Sequence, residues 1–167
     1  FPLVGLLNKL PKYPSLFEAV LITINDYLVY KFLDKRINFQ DLTKLINKRA
    51  NICVYGDYDA DGVTSIAMMV DIIQKAKCNV DFIAPHRLND GYGLNTKRME
   101  EIARKKYDAL ITLDCGISNK KEIDELKLLQ PSIVILIIDH HKCPEELPNA
   151  TVIINPQLAN ENHPAKH

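Results

Sequence analysis

No charge of one sign dominates this 167-residue chain, in which 21 Lys and Arg face 21 Asp and Glu. A neutral total leaves no electrostatic footprint of nucleic-acid binding, so such binding would need a local patch or another part of a longer protein. No CxxC pair occurs among Cys53, Cys78, Cys115 and Cys143. That speaks against a structural zinc site and against a disulfide framework, and predicts buried, reduced thiols of a cytosolic protein. No apolar stretch is long enough to span a bilayer; the most apolar, residues 133–138, falls far short. No basic n-region or small-residue cleavage site accompanies Phe1-Pro2-Leu3, so no signal peptide is expected, and the missing initiator Met predicts a trimmed fragment. These absences together predict a soluble, cytoplasmic protein with no membrane partner.

What is present suits one globular domain: 47% hydrophobic and 25% charged residues, enough for a sizeable core. The first fifteen residues hold three of nine prolines and read as an irregular lead-in. Leu16, Phe17, Val20, Leu21, Ile24, Leu28 and Phe32 recur at helical spacing, and residues 40–49 repeat the pattern through Leu42, Leu45 and Ile46. After residue 50 strand-like and helix-like segments alternate. Strands are expected at 51–56, 80–84, 109–113, 133–138 and 151–154, and helices at 62–77, 96–106 and 120–129. Near-continuous apolar strands joined by helices predict an α/β fold, a doubly wound, mostly parallel sheet with helices on both faces. Right-handed crossovers then put every strand's C-terminal end on one edge, where ligands of such sheets bind.

The residues after the strands carry chemistry. The first strand runs into Gly56-Asp57-Tyr58-Asp59-Ala60-Asp61-Gly62, the third into Asp114-Cys115-Gly116, and the fourth into Asp139-His140-His141. Five carboxylates and two imidazoles are thus expected on one rim. Asp57, Asp59 and Asp61 alternate and would point in related directions if the backbone stayed extended. Gly62 would allow a sharp turn into a helix whose N-terminal amides could hold an anion. So many acids repel one another unless a cation joins them, and oxygen ligands with imidazoles suit Mn²⁺ or Mg²⁺. A calcium loop is a poorer fit, because the twelfth position from Asp57 is Met68 rather than Glu. Two metals are the usual arrangement for hydrolysing a phosphodiester. Arg87, in Pro85-His86-Arg87, fits a forked grip on phosphate and a solvated loop position equally well. Tyr92 could stack on a base or pack on the next helix. Cys115 has no base beside it and reads as a small packing residue.

At this point the motifs resemble a known family. Gly56-Asp-Tyr-Asp-Ala-Asp-Gly62, Asp114 in Leu-Asp-Cys-Gly-Ile-Ser, and Asp139-His140-His141 are similar to the motifs of the DHH phosphoesterase superfamily. Pro85-x-Arg87, Gly91-Tyr-Gly-Leu94 and Ile154-Asn155-Pro156 resemble its RecJ-type single-strand DNA exonucleases in particular. The resemblance runs from about residue 40 to 160. It implies residues 1–39 as a helical extension and 40–167 as a DHH catalytic domain, incomplete at its C-terminus. It implies a hydrolase that removes nucleotides from single-stranded DNA in the 5′-to-3′ direction with two Mn²⁺ or Mg²⁺ ions, in DNA repair and recombination beside other repair or replication proteins. By motif position, Asp57 and Asp59 would ligate one ion, Asp61 and His140 the second, and Asp114 would bridge them. His141 would face the scissile phosphate, Asp139 would support the histidines, and Arg87 and Tyr92 would contact substrate. Family members carry a further metal-binding Asp and a second domain downstream, so this fragment alone is expected to be weakly active or inactive. Two other readings remain at this stage: a DHH enzyme acting on short oligonucleotides or (cyclic) nucleotides, and a non-catalytic RecJ-like replication scaffold.

Overall fold

The computed structural model describes residues 49–85 and 93–158. The helices expected at 16–33 and 40–49, together with Arg87 and Tyr92, lie outside the described residues or at their margin. Strand β1 (Asn51–Gly56) leads into helix α1 (Ala60–Lys75), then β2 (Asn79–Ile83) and α2 (Thr96–Lys105). Strand β3 (Ala109–Leu113), helix α3 (Lys120–Leu129), β4 (Val134–Ile138) and β5 (Val152–Ile154) complete the order. The strands form one sheet in the order β2-β1-β3-β4-β5, and each neighbouring pair is parallel.

Alternate side chains of the strands feed two cores. On one face Cys53, Tyr55, Leu110, Ile135 and Ile137 pack with Met99 and Ile102 of α2 and Ile123 and Leu126 of α3. On the other Ile52, Val54, Ala109 and Leu113 pack with Ile66, Met69 and Ile73 of α1. Each apolar side chain removed from water in this way contributes about 1.5–3 kcal/mol before its entropy cost is set against it. The chain winds from β1 to β2 under α1, then back past β1 to β3 under α2. The reversal leaves a crevice between the C-terminal ends of β1 and β3, the place where open α/β sheets bind ligands. No helix among the described residues is long and apolar enough to cross a membrane.

Caps set the helix ends. Asp59 has an extended backbone and accepts the Gly62 N–H through its side chain at 3.0 Å, so α1 begins at Ala60, two residues before its expected start. Asn95 caps α2 in the same way, accepting from Arg98 N–H at 2.9 Å. Helix α2 ends where Lys106 turns left-handed (φ 55°).

Candidate metal centre

The strand register makes the rim. Gly56 pairs with Leu113, Leu113 with Ile138, and Ile138 with Ile154, so four strands end level. The residue after each is polar: Asp57, Asp114, Asp139 and Asn155 stand in a row across the sheet edge. All four are buried, and with Thr112 they are the buried polar residues among those described. A sheet does not spend buried polar groups without partners, so this row asks for an accounting.

Asp57 accepts the Tyr58 N–H at 2.7 Å. Asp139 is fully engaged: Oδ2 accepts the Ile117 N–H at 3.0 Å, and Oδ1 accepts the His141 N–H at 3.0 Å and meets the His141 ring Nδ1 at 2.7 Å. Asn155 donates to the His141 carbonyl at 2.9 Å and accepts the Gln157 N–H at 2.7 Å. Asp114 is different. Its buried Oδ1 has no well-aligned hydrogen bond; the His140 ring Nε2 lies 2.9 Å away. Its backbone is also left-handed (φ 59°), a conformation costing about 1–2 kcal/mol that the surrounding turn enforces.

Two groups of side chains converge on Asp114. Ligand atoms of Asp57, Asp59 and Asp114 lie within 4.8 Å of one another, and so do those of Asp114, His140 and His141. Asp114 is therefore the member common to both. Burial, and then the charges of Asp61 and Asp59, push its carboxyl up to about 6, against the pull of His140 and His141. The Gly62 amide holds Asp59 below the ordinary carboxylate range. Burial opposes protonation of His141, but the hydrogen bond its ring makes to Asp139 and the charges of Asp139, Asp114 and Asp57 outweigh it and raise the imidazole. Burial pushes the Cys115 thiol far up, aided by the charges of Asp139, Asp57 and Asp114, so it is a neutral packing group and no nucleophile.

The fit to a divalent cation follows from these facts. An orphaned buried carboxylate oxygen, two further carboxylates and two imidazoles form an oxygen-rich donor set suited to Mn²⁺ or Mg²⁺. Asp61 lies in the first turn of α1, outside these two groups, and its charge acts on Asp114. Gly62 is not a turn residue but lies within α1. It is needed for space, since a Cβ there would lie 2.5 Å from the Asp57 carbonyl oxygen. At the α1 N-terminus Asp59 takes the Gly62 amide. The residue that sequence reasoning left without a role is Asn155; its signal was its position directly after the last strand.

Comparison with known proteins agrees with this architecture. The DHH family, N-terminal domain, matches residues 51–164. The single-stranded-DNA-specific exonuclease RecJ of Bacillus subtilis (strain 168) is 36% identical over 125 residues, covering 75% of this chain and 16% of that protein. The RecJ of Escherichia coli (strain K12) is 37% identical over 116 residues, covering 69% of this chain and 20% of that protein. The chain thus spans a fifth or less of the length of these relatives. Among solved structures, an exonuclease RecJ bound to manganese superposes with a TM-score of 0.65 at 34% identity, over 73% of this chain and 31% of that one.

Proposed function

This chain belongs to the DHH family, and from that premise we propose that it is the metal-binding part of a phosphodiesterase, a RecJ-type exonuclease degrading single-stranded DNA from the 5′ end. The observation that carries the reading is Asp114, a buried carboxylate shared by two ligand groups and left with an unsatisfied oxygen. A relative's structure is described as bound to manganese, which supports Mn²⁺ as the occupant. The same reading makes the protein cytoplasmic, acting in DNA repair and recombination alongside repair or replication proteins.

In this proposal Asp57 and Asp59 would hold one ion, Asp61 and His140 a second, and Asp114 would serve both. Bound divalent ions supply an activated water and neutralise charge that develops on the phosphate. The protein's own groups do the rest. Asp139 fixes the His141 ring through Nδ1 and favours its cationic form. His141 can then meet an anionic phosphate as a charge partner, or pass a proton to the leaving oxygen. The turn at Asp114 is left-handed (φ 59°), and its carboxylate lies close to both Asp57 and Asp59 after β1 and His140 and His141 after β4.

The direct test is titration of the chain with Mn²⁺ by calorimetry, with Asp114→Asn as control. Binding that depends on Asp114 supports the reading; no binding, or binding indifferent to the substitution, overturns it. Activity is then compared on a long 5′-phosphorylated single strand, a dinucleotide and a cyclic dinucleotide. Preference for the short substrates would replace the exonuclease assignment with a nucleotide phosphoesterase.

A further inference from the structure

We propose that Asn155 is a positioning residue of the metal centre, fixing the direction of the paired imidazoles by clamping the His141 backbone. This rests on the reading of Asp114, His140 and His141 as metal ligands. Asn155 is the fourth member of the buried polar row that includes Asp57, Asp114 and Asp139, and it is only 2% exposed. Both ends of its side-chain amide are engaged within the protein, which points to a positioning role rather than ligation.

Its hydrogen bonds define that role. The Gln157 N–H can only donate, so it fixes the Asn155 oxygen on its own side, at 2.7 Å. The amide NH₂ is thereby turned to the His141 carbonyl, which can only accept, at 2.9 Å. The Leu158 N–H closes the same turn on the Asn155 carbonyl at 3.2 Å. Pro156 restrains Asn155 from the helical region, so the turn starts from an extended residue. One end of the clamp is thus anchored on β5, which itself is joined to the Asp-His-His turn by the Asp139 N–H to Ile154 O bond at 3.0 Å.

At the other end His141 is held at three points: its N–H and ring by Asp139, its carbonyl by Asn155. His140, by contrast, is an exposed ring whose link to the rim is Asp114 at 2.9 Å. The peptide planes on either side of His141 are therefore both held, one by Asp139 and one by Asn155, and on this proposal they set the direction of the paired rings. Removing Asn155 frees the outer plane while leaving every candidate ligand in place.

The test is Asn155→Asp, which sets an oxygen against the His141 carbonyl, beside Asn155→Ala, which removes the donor. Each is measured for apo-protein unfolding and for Mn²⁺ affinity by calorimetry. A loss of affinity of tenfold or more, with the apo fold intact and the imidazole NMR resonances of His140 and His141 displaced, supports the inference. Binding within twofold of the parent in a folded variant overturns it. Should neither variant fold, the unsubstituted chain decides: Asn155 side-chain amide protons protected from exchange support the clamp, and exchange at the rate of an exposed amide refutes it. If the parent chain binds no Mn²⁺, the metal-centre reading itself fails, and the inference with it.

Discussion

His140 Nε2 stands 2.9 Å from Asp114 Oδ1, joining the turn after β4 to the turn after β3 at the rim of the sheet. The contact brings together residues 26 positions apart and places an exposed imidazole beside a buried carboxylate that also neighbours Asp59, Asp61 and His141. A cation is the missing counter-charge in that arrangement, and the first prediction concerns it.

Asp114→Asn removes a buried charge held among Asp57, Asp59 and Asp61. The metal-free protein is expected to gain about 1 kcal/mol at pH 8, because like-charge repulsion and desolvation are relieved while solvent at the open rim screens part of the effect. Mn²⁺ at a hundredfold excess over its dissociation constant should stabilise the parent by about 2.7 kcal/mol and the variant by almost nothing. Thermal melts with and without Mn²⁺ read both numbers. Equal metal stabilisation of the two proteins contradicts the assignment.

Gly62→Ala sets two effects against each other. Within a helix Ala is favoured over Gly by about 1 kcal/mol. Here, however, the added Cβ would lie 2.5 Å from backbone oxygen and 2.7 Å from backbone carbon and nitrogen of Asp57, none of which can rotate away. The clash should win, with a net loss of about 1–3 kcal/mol in urea unfolding and weaker Mn²⁺ binding as Asp57 is displaced. A variant as stable as the parent would show that α1 can move off the strand end.

Asp124 ties α3 to the loop before β5, accepting from Lys120 Nζ at 2.6 Å and from Asn149 N–H at 2.9 Å. Lys120, followed by the Asn149 amide, holds its carboxyl below the ordinary range. A depressed carboxyl contributes stability that is present above its unfolded-state value and fades as pH falls through the lower folded-state value. Asp124→Asn should therefore cost a few tenths of a kcal/mol, up to about 1, at neutral pH and nothing in strong acid. Stability curves of both proteins from pH 7 to pH 2 should converge at the acid end; parallel curves would deny the linkage.

Cys115 directly follows the candidate ligand Asp114 in the chain yet should be chemically silent. Burial and three nearby acids keep its thiol protonated, so iodoacetamide at pH 8 is expected to leave it unmodified in the folded chain. Cys115→Ala should lose about 1 kcal/mol of stability and bind Mn²⁺ as the parent does. Rapid alkylation of the native protein, traced to Cys115 by mass spectrometry, would reopen its role.

Much of this was legible in the chain itself. Apolar runs such as 109–113 and 133–138 announce strands buried on both faces, and their alternation with amphipathic segments predicts a parallel sheet, because both signals are local and periodic. In a parallel sheet all strand ends share one edge, so Asp57, Asp114 and the Asp139-His140-His141 turn could be placed on a common rim without coordinates.

Local pattern could not decide which atoms meet. Asp61 follows the same alternation as Asp57 and Asp59, yet capping by Asp59 starts the helix at Ala60 and sets Asp61 in its first turn. Gly62 looks like a hinge in the sequence and is a spacer in the fold. Asn155 gains meaning only from the level register of β1, β3, β4 and β5, which sets it in line with three acids far away in the chain. Residue types and periodicity are written in one dimension, and they determined the sheet and its reactive edge. Register, caps and close approaches depend on neighbours distant in the chain, so the family resemblance could give Asp114 a shared place, but only the folded structure decided which side chains stand within reach of its carboxylate.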